Sequence, residues 1–361
     1  MPNLTLEDIA KQAGVSRSTV SRVVNDDPNV SDGVRRKVQE VIVSTGYLPH
    51  AAARSLASHR SWMIGLVLPR TVSSFFIDPY FPRLTQGVAQ ACNQHNYTLG
   101  LFLLNTKEDE KRILPRISHK GLLDGIVLQT AHMEDKLLDK LANADFPMII
   151  AGRPFKANGI SYIDVDNTNA AYKAVYHLIQ LGYKRIGTIT GWMNSTVGID
   201  RRQGYLKAIS EQGWEVEERL IVEGDFTENG GYLAMKKLLP IKPDAIFAAS
   251  DTMAIGAIRA VREAGLRIPA DVAFVGFDDL PIASQAEYDL TTIRQPIARF
   301  GAKAVDTLID LIENGLKPPR RIIMETELVI RRSCGASQKR RNDNLIDVRI
   351  PTYENPLAHE Q

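Results

Sequence analysis

Two groups of side chains in this 361-residue chain have types and spacing suited to chemistry. The first is Arg17, Ser18, Ser21 and Arg22. On a helix these point away from Val20, Val23 and Val24, so two guanidiniums and two hydroxyls face outward while valines face in. An arginine fork matches the O6/N7 edge of guanine, and such a strip suits a DNA major groove. The plainer alternative is an amphipathic helix with solvated arginines. The second group is Arg201, Phe226, Asp251 and Asp278. A carboxylate accepting from vicinal hydroxyls, an arginine donating to ring oxygens and an aromatic face beneath a ring make a sugar site. Here the alternative is structural, because Asp251 and Asp278 each precede a helix and would serve as N-caps. Trp192, Phe75, Phe76 and Phe81 are possible aromatic walls, with Phe76 and Phe81 equally suited to a core.

Other chemistries find little support. No glycine-rich phosphate loop follows a strand, no nucleophile elbow occurs, and the seven histidines form no dyad in sequence. Cys92 and Cys334 are too far apart in sequence to suggest a disulfide framework or a metal cluster. A non-enzyme without cofactor or metal is expected. The N-terminus lacks a basic segment followed by an apolar run, and no stretch is apolar enough to span a bilayer. That predicts a cytoplasmic protein with no membrane partner. A net charge of +2 with 44% hydrophobic and 24% charged residues is ordinary for a globular protein and cannot by itself argue for nucleic acid.

The elements that must position these residues can be read in order. TLEDIAKQAGVSRSTVSRVV (5–24) predicts two short helices joined by a tight turn. Thr5 caps the first with Asp8 at N3, Gly14-Val15 breaks it, and Ser16 caps the second. Ala10, Gly14 and Val20 supply the small, permissive and β-branched residues that a helix-turn-helix needs. Ser31 opens a third helix to about Thr45, completing an all-α domain over 1–45. In the segment 46–61, HAAARSLA (50–57) is too short for a stable isolated helix. It is either a solvated linker or a segment that folds on DNA and presses Leu56 between base steps of the minor groove.

From Trp62 onward apolar strands alternate with helices: MIGLVLP (63–69), YTLGLFLLN (97–105), DGIVLQ (124–129) and FPMIIAG (146–152), then RIGTITG (185–191), RLIVEGD (219–225), AIFAAS (245–250) and VAFVGFD (272–278). This predicts an α/β core over 62–333 made of two doubly wound parallel-sheet lobes. Lobe 1 takes about 62–160 and 295–320, and lobe 2 about 161–292 and 322–333. Ligands of open α/β sheets bind beyond the carboxyl ends of strands, where Arg201, Phe226, Asp251 and Asp278 fall. Residues 334–361 are polar and irregular, which predicts a flexible tail.

LEDIAKQAGVSRSTVSRVVN, GYLPHAAARSLA, DNTNAAYKAVYHLIQLGYKRIG, RRQGY, SDTMAIGAIRAVREAGLRIPADVAFVGFDD and LTTIRQP complete the reading. From about Leu4 to Ser333 the chain resembles a bacterial transcription regulator of the lactose-repressor (LacI/GalR) family. The resemblance implies a homodimer on a near-palindromic double-stranded DNA operator, with a periplasmic-binding-protein-like core that senses a small molecule. By position it makes Arg17, Ser18 and Arg22 base readers and Thr5, Ser16, Thr19, Ser21 and Asn25 backbone contacts. Leu56, with the small Ala53 beside it, would be the minor-groove hinge. In the core it supports Arg201, in its R-x-x-G setting, and Phe226 as a stacking aromatic. The implied effector is sugar-like, or alternatively a purine or nucleoside. An uptake binding protein would share the core but has no use for residues 1–60.

Overall fold

The computed structural model describes residues 4–24, 27–47, 60–117, 122–129, 138, 141, 146–156 and 159–336. The chain divides into two compact units, residues 1–63 with 119–124, and residues 64–118 with 125–361. Asn25, Ala53 and Leu56 lie outside the described residues, as do the tail beyond 336 and most of the helix expected from Glu134.

The first unit holds α1 (Leu6–Ala13), α2 (Arg17–Val24) and α3 (Asp32–Thr45). Thr5 and Asp8 cap α1 reciprocally. The Asp8 N–H donates to the Thr5 hydroxyl at 3.3 Å, and the Asp8 carboxylate accepts the Thr5 N–H at 2.8 Å. Gly14 closes α1 in the left-handed region, φ 61° and ψ 38°, where a side chain is strained. Ser16 caps α2 by accepting the Thr19 N–H at 3.1 Å. Ser31 stands at the N-cap of α3, yet its side chain makes no capping bond. Ile9, Ala10, Ala13, Val20, Val23, Val38 and Tyr47 form the buried core of the three helices.

Strands and helices alternate from there. They run β1 (Met63–Leu68), α4 (Val72–Ile77), α5 (Tyr80–Gln94), β2 (Thr98–Leu103), α6 (Lys107–Ile117), β3 (Gly125–Gln129), β4 (Met148–Ala151), β5 (Tyr162–Val165), α7 (Asn167–Gln180) and β6 (Ile186–Thr190). Then follow α8 (Thr196–Ser210), β7 (Ile221–Glu223), α9 (Glu228–Leu238), β8 (Ala245–Ala248), α10 (Asp251–Glu263), β9 (Ala273–Asp278), β10 (Thr291–Arg294), α11 (Ile297–Asn314), β11 (Arg321–Met324) and β12 (Glu327–Val329). Two six-stranded sheets result, ordered β11-β5-β4-β3-β1-β2 and β12-β10-β9-β8-β6-β7. In the second sheet only the edge pair β10–β12 is antiparallel.

Helices α7 and α8 cover one face of that sheet, and α9 and α10 the other. This is why β6, β8 and β9 are buried along their whole length. Helices α9 and α10 cross so closely that a Cβ on Gly256 would overlap the Glu228 carbonyl. No helix among the described residues is long and apolar enough to cross a membrane.

The expected lobe boundaries need correction. Strand β5 pairs with β4, and β11 pairs with β5, so residues 162–165 and 321–324 belong to the first lobe. The chain therefore crosses between lobes at Asp166, at Gln295-Pro296 and at Glu325-Thr326. Asp164 inside YIDV hides the short strand. RIIMETELVI reads as one extended run because no glycine or proline marks the point where it changes sheets.

Candidate functional site

The carboxyl ends of β1, β3, β4, β6 and β9 open on one cleft in the second unit, partly open to solvent. The second lobe supplies its floor. Arg201, on the second turn of α8 and 4% exposed, donates through Nε to Asn167 Oδ1 at 2.9 Å and through Nη1 to the Ala249 carbonyl at 2.6 Å. Its Nη1 lies 3.6 Å from Asp278 Oδ1, and its guanidinium is 3.5 Å from the centre of the Phe277 ring. Burial lowers its pKa, against the opposing pull of Asp278.

Asp278 ends β9, and Gln295 Nε2 donates to its Oδ1 at 2.5 Å. Burial pushes its pKa up to about 7, although Arg201 acts the other way. Asp278 and Asp279 both have positive φ, 117° and 53°, a costly conformation that the surroundings must hold in place. Asp279 is held by Arg294 at 2.7 Å and Arg331 at 2.6 Å. Asp251 sits behind the same turn, where its carboxylate accepts the Leu280 N–H at 2.8 Å and the Thr292 hydroxyl at 2.6 Å.

The first lobe supplies Arg70, Asp78, Tyr80, Gln129 and Asp164. The Arg70 guanidinium lies 4.9 Å from the centre of the Phe81 ring and 5.1 Å from that of Trp192, and so reaches toward both lobes. Trp192 meets Phe226 edge-on at 5.5 Å. Gln129 Oε1 is buried and finds no partner among the described residues. The Asp164 carboxylate accepts the N–H groups of Val165 and Arg153 and the Asn167 side-chain amide; burial raises its pKa to about 6. Arg153 also bridges the lobes, bonding both oxygens of Asp200 at 2.7 and 2.8 Å. Donors and acceptors thus ring a cleft with apolar ring faces, an arrangement made for binding. Among the described residues no group of three or more His, Cys, Asp or Glu is placed to hold a metal ion.

In the first unit Arg17, Ser18 and Arg22 are exposed on α2. Arg17 Nε lies 3.1 Å from Glu7 Oε1, and Arg22 Nε 3.8 Å from Asp27 Oδ2. The Ser16 hydroxyl meets those of Ser18 and Thr19, each at 2.8 Å.

Residues 5–50 match the family described as bacterial regulatory proteins, lacI family, and residues 175–334 match the periplasmic binding protein-like domain. The HTH-type transcriptional regulator CelR of Thermobifida fusca is 36% identical over 333 residues, which cover 91% of this chain and 98% of that protein. The chain belongs to the LacI family. Among solved structures, a CelR–cellobiose complex is similar with a TM-score of 0.73 at 34% identity, covering 91% of this chain and 99% of that one. A lac repressor dimer bound to operator and the anti-inducer ONPF is similar with a TM-score of 0.79 at 26% identity, covering 92% and 99%.

This LacI-family member is a DNA-binding transcription regulator with a helix-turn-helix reader and a periplasmic-binding-protein-like core. The structure gathers four of the six expected effector residues, Arg201, Asp278, Phe226 and Trp192, on one cleft wall. It does not bring Asp251 or Phe81 there. Asp251 is fully buried with both oxygens engaged, and Ser250, not Asp251, is the N-cap of α10. Phe81 is buried under Arg70. Of the other aromatics, Phe75 is core and Phe76 is 69% exposed. The residues missed are Arg70, Asp78, Tyr80, Gln129, Asp164, Asn167 and Gln295. Arg70 and Gln129 each end or follow a strand read from the sequence, so applying the strand-end rule to every such strand would have found them.

The Asp278 carboxyl has a pH consequence. Its pKa is about 7 in the folded chain, against 3.8 for an unperturbed aspartate. The folded state therefore keeps a proton that the unfolded state has released, and its advantage shrinks as pH rises through that window. Between about pH 4 and 7 the melting temperature of the ligand-free protein should fall relative to that of Asp278→Asn, which cannot titrate, and the difference should level off above that range. Parallel profiles would show that Asp278 is already ionised at the lower pH.

Proposed function

We propose that this regulator is a homodimeric cytoplasmic repressor, and that a sugar-like effector in its cleft controls its hold on a near-palindromic operator. The observation that carries the effector class is the lining of the cleft. Phe226 and Trp192 offer apolar rings, Arg201, Asp278, Asn167 and Gln295 line the cleft from the second lobe and the crossings, and Arg70, Asp78 and Gln129 line it from the first lobe. Hydrogen-bonding groups of both signs around aromatic faces suit a polyhydroxylated ring. The similarity to a CelR–cellobiose complex supports the same reading.

Surface chemistry supports the dimer. Edge strand β2 exposes Leu101, and α4 exposes Val72, Phe76 and Ile77, apolar surface that a second copy would cover. Two copies also suit the two half-sites of a palindrome.

A thermal-shift panel of monosaccharides, disaccharides, nucleobases and nucleosides on the full-length protein tests the effector class. A ligand at a hundred times its Kd stabilises by about 2.7 kcal/mol, a readily measured shift. Sugars alone are expected to produce it. A response confined to nucleobases or nucleosides would move the reading to a purine-type effector.

A further inference from the structure

Helix α1 opens with two acidic residues of different fates. Asp8 is consumed by the reciprocal cap with Thr5. Glu7 takes no part in that cap and reaches across to α2, where its Oε1 lies 3.1 Å from Arg17 Nε. A first-turn acid is favoured anywhere near a helix N-terminus, which accounts for a glutamate at 7 but not for the direction of its side chain. Both partners are more than half exposed, 62% for Glu7 and 68% for Arg17, and such pairs add little to stability. What this one does is geometric.

We propose that Glu7 is a specificity-determining positioning residue that aims Arg17 at a base. The proposal rests on the reading of Arg17 as a base reader. A guanidinium carries its five N–H groups in one plane. A carboxylate on the Nε edge leaves the two-pronged Nη end free, and that fork is what meets guanine O6 and N7. A long side chain held this way has less rotamer freedom left to lose on binding. The same charge discourages the wrong contact. When Arg17 swings along the backbone instead, Glu7 is left near phosphates, so the pair penalises non-specific binding as well as favouring the specific kind.

Arg22 provides an internal contrast. Its acid, Asp27, is 3.8 Å away, and Asp27 Oδ1 is already engaged by the N–H and side-chain amide of Asn29 at 2.9 and 3.0 Å. Arg22 is the less restrained of the two.

The test is selection of randomised double-stranded oligonucleotides by the full-length protein, followed by sequencing. Wild type, Arg17→Ala, Glu7→Ala and Glu7→Gln are compared, with affinity for bulk DNA measured alongside. Arg17→Ala should flatten the preference at one base position of each half-site. Glu7→Ala should flatten the same position, reducing discrimination there by about tenfold, while binding to bulk DNA holds or tightens. Glu7→Gln keeps the side-chain length but removes the charge that draws the guanidinium, and should lose the preference much as Glu7→Ala does. If Glu7→Ala leaves that position sharp, or weakens every position alike, the role of Glu7 is overturned while Arg17 stands. If Arg17→Ala flattens no position, both fall together.

Discussion

Arg201→Ala should abolish the effector response while operator binding survives. The guanidinium is buried with three protein partners, Asn167, Ala249 and Asp278, and faces the cleft. Truncation removes donors aimed at the ligand and leaves the Asp278 carboxyl without its nearest cation. Losing one member of a buried charge pair at a binding site costs about 2–5 kcal/mol, or roughly 30-fold to several thousand-fold in affinity. The fold should weaken too, since Asn167 Oδ1 and the Ala249 carbonyl lose their buried donor, but the helix-turn-helix has its own core and stays formed. Calorimetric titration with the effector and anisotropy with operator DNA, each with and without effector, separate the two outcomes. Loss of operator binding together with effector binding would make Arg201 a structural residue and remove it from the site. Arg201→Lys, which keeps the charge but not the planar fork, should recover stability better than affinity.

Arg22→Ala should be nearly as severe for DNA. A bidentate arginine–guanine contact is worth about 1–3 kcal/mol, and in a dimer the substitution strikes both half-sites. The combined loss is about 2–6 kcal/mol, roughly 30-fold to 10⁴-fold in operator affinity. Arg22 is exposed on α2 with its nearest acid 3.8 Å away, so folding should be untouched. Filter binding to operator and to unrelated DNA across a salt series gives the readout. If both affinities fall by the same factor, Arg22 touches a phosphate and carries no sequence information.

The helix-turn-helix was legible because its determinants are local. Thr5, Gly14 and Ser16 act within a turn of themselves, and valines at helical spacing announce their own buried face. The three helices between Leu6 and Thr45 formed as expected apart from the missing Ser31 bond. The α/β alternation was legible for the same reason. The distribution of strands between lobes was not, because YIDV and RIIM are assigned by their neighbours β4 and β5, which sequence spacing does not specify. The cleft was half legible. Asp278 ends β9 and Arg201 lies on the helix that follows β6, both in one lobe, whereas Arg70, Gln129 and Asp164 become neighbours of that pair only when the chain has crossed and recrossed. Asp251 shows the limit of the strand-end rule. It occupies the expected place, but its oxygens accept the Leu280 N–H and the Thr292 hydroxyl, so it holds the turn after Asp278–Asp279 from behind.

The three crossings divide the cleft unequally. Asp164, Asn167 and Gln295 lie at or beside the segments that join the lobes, and they bond directly to one another or to Arg201 and Asp278. Arg70, Asp78 and Gln129 line the cleft from the first lobe and stand apart in the chain from those segments. A biosensor engineer would treat the two halves differently. The joint-side residues also tie the crossing segments together and should be left alone, whereas Arg70, Asp78 and Gln129 are the positions where a library would test which molecule the cleft accepts.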